Sequence, residues 1–154
     1  MRKLNDYEDC IDRGLLRRIP PSKDKAKKSI ETAEDWLNEA RKSLMADAFN
    51  SSLICSYLSM FHSARSILFY DGYREKSHYC IARYLEEKYV KNGILEIKWI
   101  ELLDHYRDLR HASQYGVESF TIREEAENAI EIAEKFLDRM RRLLKEKEDP
   151  SKNL

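Results

Sequence analysis

The chain has 154 residues, a length that suits one domain and is short for two. Its 28 Lys and Arg residues balance its 28 Asp and Glu residues, so no global charge attracts it to nucleic acid or to anionic membranes. Only four Gly, three Pro, two Val and two Thr occur. Such scarcity of turn-forming and β-branched residues excludes a sandwich, a barrel or an α/β fold. We therefore predict an all-α protein.

Hydropathy and cysteine content restrict the expected location. No run of 18 apolar residues is present, and the start of the chain lacks the apolar core of a signal peptide, so we expect no membrane contact. The cysteines Cys10, Cys55 and Cys80 lie far apart and match no zinc-binding spacing. We interpret Cys55 and Cys80 as small core residues of a reduced, cytoplasmic protein. Neither a metal nor a cofactor is expected.

The first 21 residues are predicted to form a short N-terminal helical segment. A weak helix from Leu4 to Arg18 is interrupted by Gly14 and closed by two prolines. Ser22 is then placed to cap the first long helix of a bundle that we expect to span residues 22–147. The apolar residues of this helix recur every three or four positions, as on the contact face of a bundle: Ala26, Ile30, Ala33, Leu37, Ala40 and Leu44.

Four further helices are predicted along the chain. The least polar one runs from Ala48 to Tyr70, ends at Asp71-Gly72, and should lie centrally. Another runs from Ser77 to Lys91 and ends at Asn92-Gly93. The next spans about 96–112 and ends towards Gly116, and the last starts at a capping box formed by Thr121 and Glu124. With a frayed tail at 148–154, the expected fold is an up-and-down bundle of about five helices without a sheet.

Two polar groups stand out from these helical patterns. His62 and Arg65 lie on the apolar central helix, where they could face a cleft, although such a histidine is more often a hydrogen-bonded core residue. The second group is denser and contains two arginines, two histidines, a glutamine and a tyrosine: His105, Arg107, Arg110, His111, Gln114 and Tyr115. Arginine binds phosphate bidentately, and histidine transfers protons at neutral pH. The alternative is that these cations complement the dipole at a helix C-terminus.

Residues 1–28 carry a net charge of +4, and the densest basic stretch within them surrounds the start of the first long helix. It contains Arg17, Arg18, Lys23, Lys25, Lys27 and Lys28. A solvated helix entrance and a nucleic-acid contact are both open interpretations of it.

The sequence resembles the HEPN (higher eukaryotes and prokaryotes nucleotide-binding) family, in particular its small prokaryotic UPF0332-like branch. Five stretches carry the resemblance in the right order, and they begin at Ala48-Phe-Asn-Ser-Ser, Lys76-Ser-His78, Lys91-Asn-Gly, Leu109-Arg110 and Glu124-Glu-Ala. The resemblance covers about residues 25–144. It implies a bundle of four or five helices that commonly forms a homodimer. It also implies a minimal nucleotidyltransferase as partner in a toxin–antitoxin pair, and a metal-independent RNase activity in active members.

The nuclease motif of that family is incomplete in this chain. Nuclease members carry an arginine, four to six residues and then a histidine, but no arginine precedes any of the four histidines by five to seven positions. The UPF0332-like pattern Arg-x-x-Ala-Asp-Tyr-Gly corresponds here to residues 110–116, with Gln114 in place of the acid. The position after four intervening residues holds Tyr115. Whether the protein is an enzyme therefore stays open.

These observations lead to one main functional hypothesis and two alternatives. The main one is a HEPN protein that binds nucleotide or RNA phosphate, in which Arg107, Arg110 and Gln114 hold the phosphate and Tyr115 stacks or hydrogen-bonds. His62 and Arg65 are further candidates for this binding site. The first alternative is a weak metal-independent RNase with His111 as the proton-transfer residue. The second is a non-catalytic dimeric scaffold.

Overall fold

The computed structural model describes residues 6–117 and 120–149. Its α-helices are α1 Tyr7–Asp12, α2 Lys23–Met45, α3 Phe49–Asp71, α4 His78–Leu85, α5 Ile97–Tyr115 and α6 Arg123–Glu148. Two three-residue strands, β1 Leu16–Arg18 and β2 Tyr73–Glu75, pair antiparallel. The all-α prediction is confirmed, because helices account for almost all of the regular structure. The expectation of no sheet at all is wrong for this one short ribbon.

Helix α3 is the centre of the bundle and packs against α2, α4, α5 and α6. Its contact with α2 is close because both helices carry small residues there, including the fully buried Ala33 and Ala40. Serine hydroxyls connect the two backbones: Ser52 donates to the Ala40 carbonyl and Ser59 to the Ala33 carbonyl, each at 2.8 Å. These bonds satisfy polar groups that would otherwise be buried without a partner.

Local sequence signals determine several helix ends. The Ser22 hydroxyl accepts from the Lys25 amide at 3.1 Å and caps α2, as predicted. Gly72 ends α3 with φ +91°, and a Cβ there would lie 2.7 Å from the Ile19 carbonyl oxygen, so only glycine fits. The start of α6 lies one residue later than predicted, because the Ile122 amide donates to Glu125, rather than Thr121 pairing with Glu124.

The N-terminal segment departs most from the sequence-based expectation. Within the described part of this segment only Tyr7–Asp12 is helical, and the predicted helix start at Leu4 lies outside the described residues. Leu16–Arg18 forms β1 because its backbone pairs with β2, some 55 residues further along the chain. Cys10 forms a disulfide with Cys80, and both residues are completely buried. The interpretation of Cys80 as a reduced core residue is therefore wrong, while Cys55 is free and half-buried.

The remaining differences concern helix lengths. The predicted helix from Ser77 to Lys91 divides into α4 and a π-helical turn, Glu86–Val90. In this turn Tyr89 donates a 2.5 Å hydrogen bond to Asp71 at the end of α3. Helix α5 continues to Tyr115, and α6 to Glu148. Most of the expected frayed tail lies outside the described residues. No helix in the described ranges is both long and apolar enough to cross a membrane.

Candidate functional site

His78, the first residue of α4, lies at the centre of a group of polar side chains from three helices. We call this group the His78 cluster; its other members are Tyr57, His62, Arg65, Arg83, Arg107 and Arg110. The His78 ring stacks on Phe61 of α3, with ring centroids 4.0 Å apart and planes inclined by 19°. Its Nδ1 atom lies 3.0 Å from the Tyr57 hydroxyl and 3.5 Å from a terminal nitrogen of Arg110. A guanidinium group can only donate, so Nδ1 is the acceptor in this arrangement and the ring proton resides on Nε2. Three helices thereby position a single imidazole.

Arg110 on α5 is the cation closest to this imidazole. Its guanidinium lies 5.1 Å from the centroid of the Tyr57 ring, which it covers, and it donates to the Gln114 side-chain oxygen at 3.1 Å. No carboxylate among the described residues is within ion-pair distance of it. The two hydrogen-bond partners of Arg110, the Gln114 amide and the His78 imidazole, are neutral. Arg110 therefore keeps an uncompensated charge in a half-buried position.

The neighbouring arginines are paired with carboxylates, because Arg107 lies 3.4 Å from Asp108, Arg83 lies 3.8 Å from Glu86, and both contact Asp104. Asp104 accepts from Arg107 and from Arg83, each at 2.5 Å. Both guanidinium groups also lie over the ring of Tyr79, at 5.1 and 4.6 Å from its centroid. This side of the cluster is thus a connected network in which one carboxylate serves two cations.

The residues predicted on the central helix complete the cluster on its other side. Arg65 forms a 3.0 Å ion pair with the buried Glu75 of β2 and covers the Phe69 ring at 4.9 Å. The His62 ring contacts the ring of Phe61, and the two centroids are 5.0 Å apart. The backbone carbonyl of His62 accepts a hydrogen bond from the Ser29 hydroxyl at 2.7 Å. The two groups that the sequence singled out are therefore joined through Phe61 and His78.

Burial controls the protonation of the cluster. It lowers the pKa of His78 to about 4, assisted by the positive charges of Arg110, Arg107 and Arg65. Burial, and after it Arg65, likewise lowers the pKa of His62 to about 4. Burial also raises the pKa of Tyr57 to about 12. At neutral pH these three groups are uncharged, so the charge of the cluster comes from its four arginines and from the carboxylates paired with three of them: Glu75, Asp104, Glu86 and Asp108.

The residues predicted on α5 separate onto two faces. Gln114 lies beside Arg110, as their spacing predicts. His111 is exposed, and its ring contacts Tyr115 at a centroid distance of 4.9 Å. Since α5 stays helical to Tyr115, these two rings point away from the Arg110 face.

Sequence reasoning did not identify His78 or Tyr57 as site residues. They lie on different helices from Arg110, and periodicity within one helix cannot bring them together. A signal did exist, because Lys76-Ser-His78 is one of the stretches that carry the family resemblance. Among the described residues, no group of three His, Cys, Asp or Glu side chains is placed to hold a metal ion.

The described residues around the α5–α6 connection, 115–117 and 120–122, form an exposed rim beside the end of the cluster. Four apolar side chains on it are exposed by at least half: Tyr115 61%, Val117 100%, Phe120 78% and Ile122 53%. The rim is nevertheless attached to the bundle, because the Thr121 amide donates to the Asn50 side chain at 2.7 Å. Such a group of apolar side chains is typical of an interaction surface.

Sequence comparison with known proteins identifies a family and two relatives. The HEPN domain family matches residues 26–143. A relative from Methanocaldococcus jannaschii named "Putative toxin MJ0605" is 29% identical over 117 residues, which cover 76% of this chain and 87% of the relative. A second from the same organism, "Putative toxin MJ0142", is 22% identical over 121 residues, covering 79% and 78%. Because the family match includes α2 to α6 almost completely, the chain belongs to the HEPN domain family.

Proposed function

We propose that the cluster around His78 and Arg110 binds the phosphate of a nucleotide or of RNA. The observation that carries the proposal is the uncompensated guanidinium of Arg110, held half-buried against Tyr57 and next to a neutral imidazole. An anion gains more from such a partly desolvated cation than from one in bulk water. The terminal nitrogens of Arg110 hold only neutral partners, so a phosphate oxygen can replace the Gln114 amide as acceptor.

The paired arginines support a scaffold role as the alternative. Arg107 and Arg83 share Asp104, and Arg65 is paired with Glu75, so these three cations already have partners inside the protein. A cluster that was fully neutralised in this way would serve only the structure. Arg110 is the member that does not fit this description, and it is therefore the residue on which the two interpretations are tested.

The test measures binding of a fluorescently labelled 12-nucleotide single-stranded RNA, and separately of ATP, by anisotropy. Arg110→Ala should weaken binding roughly 10- to 100-fold, the effect of losing a charge-assisted hydrogen bond. The slope of log affinity against log salt should fall by about 0.7. Arg123→Ala is the matched control, because Arg123 is an exposed arginine paired with Asp47, and should stay within about twofold. Equal affinities of the two variants at low salt would contradict the assignment.

A second candidate function is a weak metal-independent RNase. It is favoured by the 3.5 Å approach of Arg110 to His78, which brings together an arginine and a histidine from two helices rather than from one motif. In this scheme His78, and not the exposed His111, takes up the proton. Its lowered pKa leaves it an inefficient base at neutral pH, so we expect little or no cleavage.

Cleavage is assayed with labelled RNA in the presence of a chelator. Robust cleavage that is lost in His78→Gln and retained in His111→Gln would make the RNase the preferred function. Cleavage lost in His111→Gln instead would favour the residue suggested by the sequence. RNA that stays intact with the wild-type protein leaves phosphate binding as the preferred function.

The biological role proposed for the chain follows from its relatives. Both are named as toxins, and the family resemblance implies a minimal nucleotidyltransferase as partner. We therefore propose the toxin half of a toxin–antitoxin pair, acting in the cytoplasm. Expression in a bacterial host should arrest growth, and co-expression of an adjacent nucleotidyltransferase gene should restore it. Unchanged growth under strong expression would contradict this role.

The exposed rim supports a homodimer. Val117 and Phe120 are 100% and 78% exposed, and homodimer interfaces are more apolar than the remaining surface and enriched in aromatic residues. Tyr115 of the rim directly follows Gln114, which binds Arg110, so pairing through this rim would also bring the His78 clusters of the two copies closer together. Light scattering should give about two chain masses at micromolar concentration, and Phe120→Glu should give one. A wild-type protein that scatters as a single chain would rule the dimer out.

A further inference from the structure

A second surface of the molecule lies between the start of α2 and the end of α6. It is a groove of about 810 Å³, called here the α2–α6 groove. Its apolar floor consists of Ala26, Ile30, Tyr70 and Leu144. Tyr70 is 13 residues from Tyr57 along α3, about 20 Å of helix, so the groove is separate from the His78 cluster.

The rim of the groove is basic. Five cations line it, against the two acids Asp24 and Glu148: Lys23, Lys27, Arg141, Arg142 and Lys145. Arg141 is paired with Glu34 and Asp138, but no described carboxylate is within ion-pair distance of Lys27, Arg142 or Lys145. The chain as a whole is neutral, so this excess of positive charge is local. It includes part of the basic stretch at the start of α2, which the phosphate site does not use.

The floor of the groove distinguishes between two kinds of acidic ligand. Proteins that bind single-stranded nucleic acid offer aromatic rings on which the bases stack. Here the floor has one ring, Tyr70, which the ammonium groups of Lys23 and Lys147 already approach, at 6.0 and 5.3 Å from its centroid. The other floor residues are aliphatic, and they suit the leucine-type side chains of an amphipathic helix.

We propose that the α2–α6 groove binds an amphipathic helix of a partner protein, with acidic residues flanking its apolar face. The apolar face packs on Ala26, Ile30 and Leu144, and the carboxylates pair with Lys27, Arg142 and Lys145. A helix-in-groove contact of this kind combines buried aliphatic anchors with charge complementarity at the rim. The proposal is independent of the phosphate site, because the groove shares no residue with the His78 cluster.

The experiment uses the full chain and a labelled 18-residue peptide with leucines at helical spacing and glutamates elsewhere. The charge reversal Lys27→Glu/Lys145→Glu should weaken its binding about tenfold, from the loss of two exposed ion pairs. The matched control is Lys42→Glu/Lys135→Glu, which makes the same changes on α2 and α6 outside the groove. It should bind within about twofold of wild type.

Further ligands separate the proposal from its competitors. A peptide of the same composition with its leucines evenly distributed should bind at least tenfold more weakly, because it lacks an apolar face. Equal binding of both peptides would show that the groove recognises only their negative charge, and this result would overturn the proposal. It would also be overturned if 12-nucleotide oligouridine displaced the peptide and lost affinity in Lys27→Glu/Lys145→Glu, or if the amphipathic peptide did not bind.

Discussion

The His78 cluster and the α2–α6 groove are both rich in cations, yet they use these cations differently. In the cluster the guanidinium groups lie against aromatic rings, between 4.6 and 5.7 Å from the ring centroids, and are half-buried. In the groove the free cations stand exposed above aliphatic residues. Partial burial strengthens the interaction with one compact anion, whereas an exposed rim suits several weaker contacts along an extended ligand. Similar residue composition therefore supports two different types of recognition.

The largest effect should come from removing the cross-link beneath the cluster. The Cys10–Cys80 disulfide closes a 70-residue separation and holds α4, with His78 at its start, against the N-terminal segment. Cys10→Ala/Cys80→Ala should lower the free energy of unfolding by about 3–4 kcal/mol in denaturant titrations. RNA affinity should decrease, while acidic-peptide binding at the α2–α6 groove should not change at native conditions.

Cys55→Ala is the control for this comparison, because Cys55 is a free thiol outside the disulfide. It should cost less than 1.5 kcal/mol, as expected for the loss of a small half-buried side chain. Equal destabilisation of the two variants would show that the disulfide does not stabilise the packing of α4 against the N-terminal segment.

Mild acid should also lower the stability of the folded protein through the His78 cluster, and not through the α2–α6 groove. The pKa values of His62 and His78 are about 4 in the folded protein and 6.5 when exposed, so the unfolded chain binds more protons between these values. Stability is therefore lost as the pH falls from 6.5 towards 4. With allowance for partial solvent screening, we expect about 1 kcal/mol per histidine between pH 7 and pH 5.

Denaturant titrations at these two pH values measure the effect. His78→Gln should remove about half of the pH-dependent loss, because His62 retains its part. His111→Gln, on the exposed face of α5, is the matched control and should leave the loss as in wild type. The assignment fails if the two variants lose the same stability on acidification.

A smaller loss of stability is expected from removing the Tyr57 hydroxyl, which faces His78. Tyr57→Phe keeps the ring under Arg110 and removes the 3.0 Å contact with Nδ1. The expected cost is about 1 kcal/mol of stability, since a buried acceptor loses a donor. Tyr106→Phe is the control, because Tyr106 is a buried tyrosine on α5 whose hydroxyl has no hydrogen-bond partner among the described residues. Equal costs would mean that the Tyr57 hydroxyl does not support His78.

The smallest effect is expected from restoring the spacing of the nuclease motif. Tyr115→His recreates an arginine, four residues and a histidine, starting at Arg110. In the continuous helix α5, position 115 lies about 140° around from Arg110, on the face of His111. RNA cleavage should therefore remain at the wild-type background. An increase would show that the last turn of α5 unwinds when RNA binds.

The bundle was predictable because its signals are local. Helical periodicity and caps give α2, α3 and α6 to within a few residues, and Gly72 and Gly93 end their helices with positive φ as expected. The β1–β2 ribbon and the disulfide were not predictable, because each joins residues more than 50 positions apart with no local pattern.

The site was predictable only in part, for the same reason. Arg110 and Gln114 share one helix face, so their proximity follows from spacing. His78 reaches them from another helix, and its burial and lowered pKa depend on the packing of α3, α4 and α5. Helical periodicity describes one helix at a time and does not indicate which residues of different helices meet.

The complete burial of the disulfide also determines how quickly it can respond to a change of redox conditions. A dissolved thiol must attack one of the sulfur atoms directly, and both Cys10 and Cys80 are 0% exposed. Attack therefore waits until α1 separates from α4, and the rate of reduction reports the rate of this local opening. A reducing environment would then convert the protein slowly, and the bond would remain formed for as long as α1 stays docked.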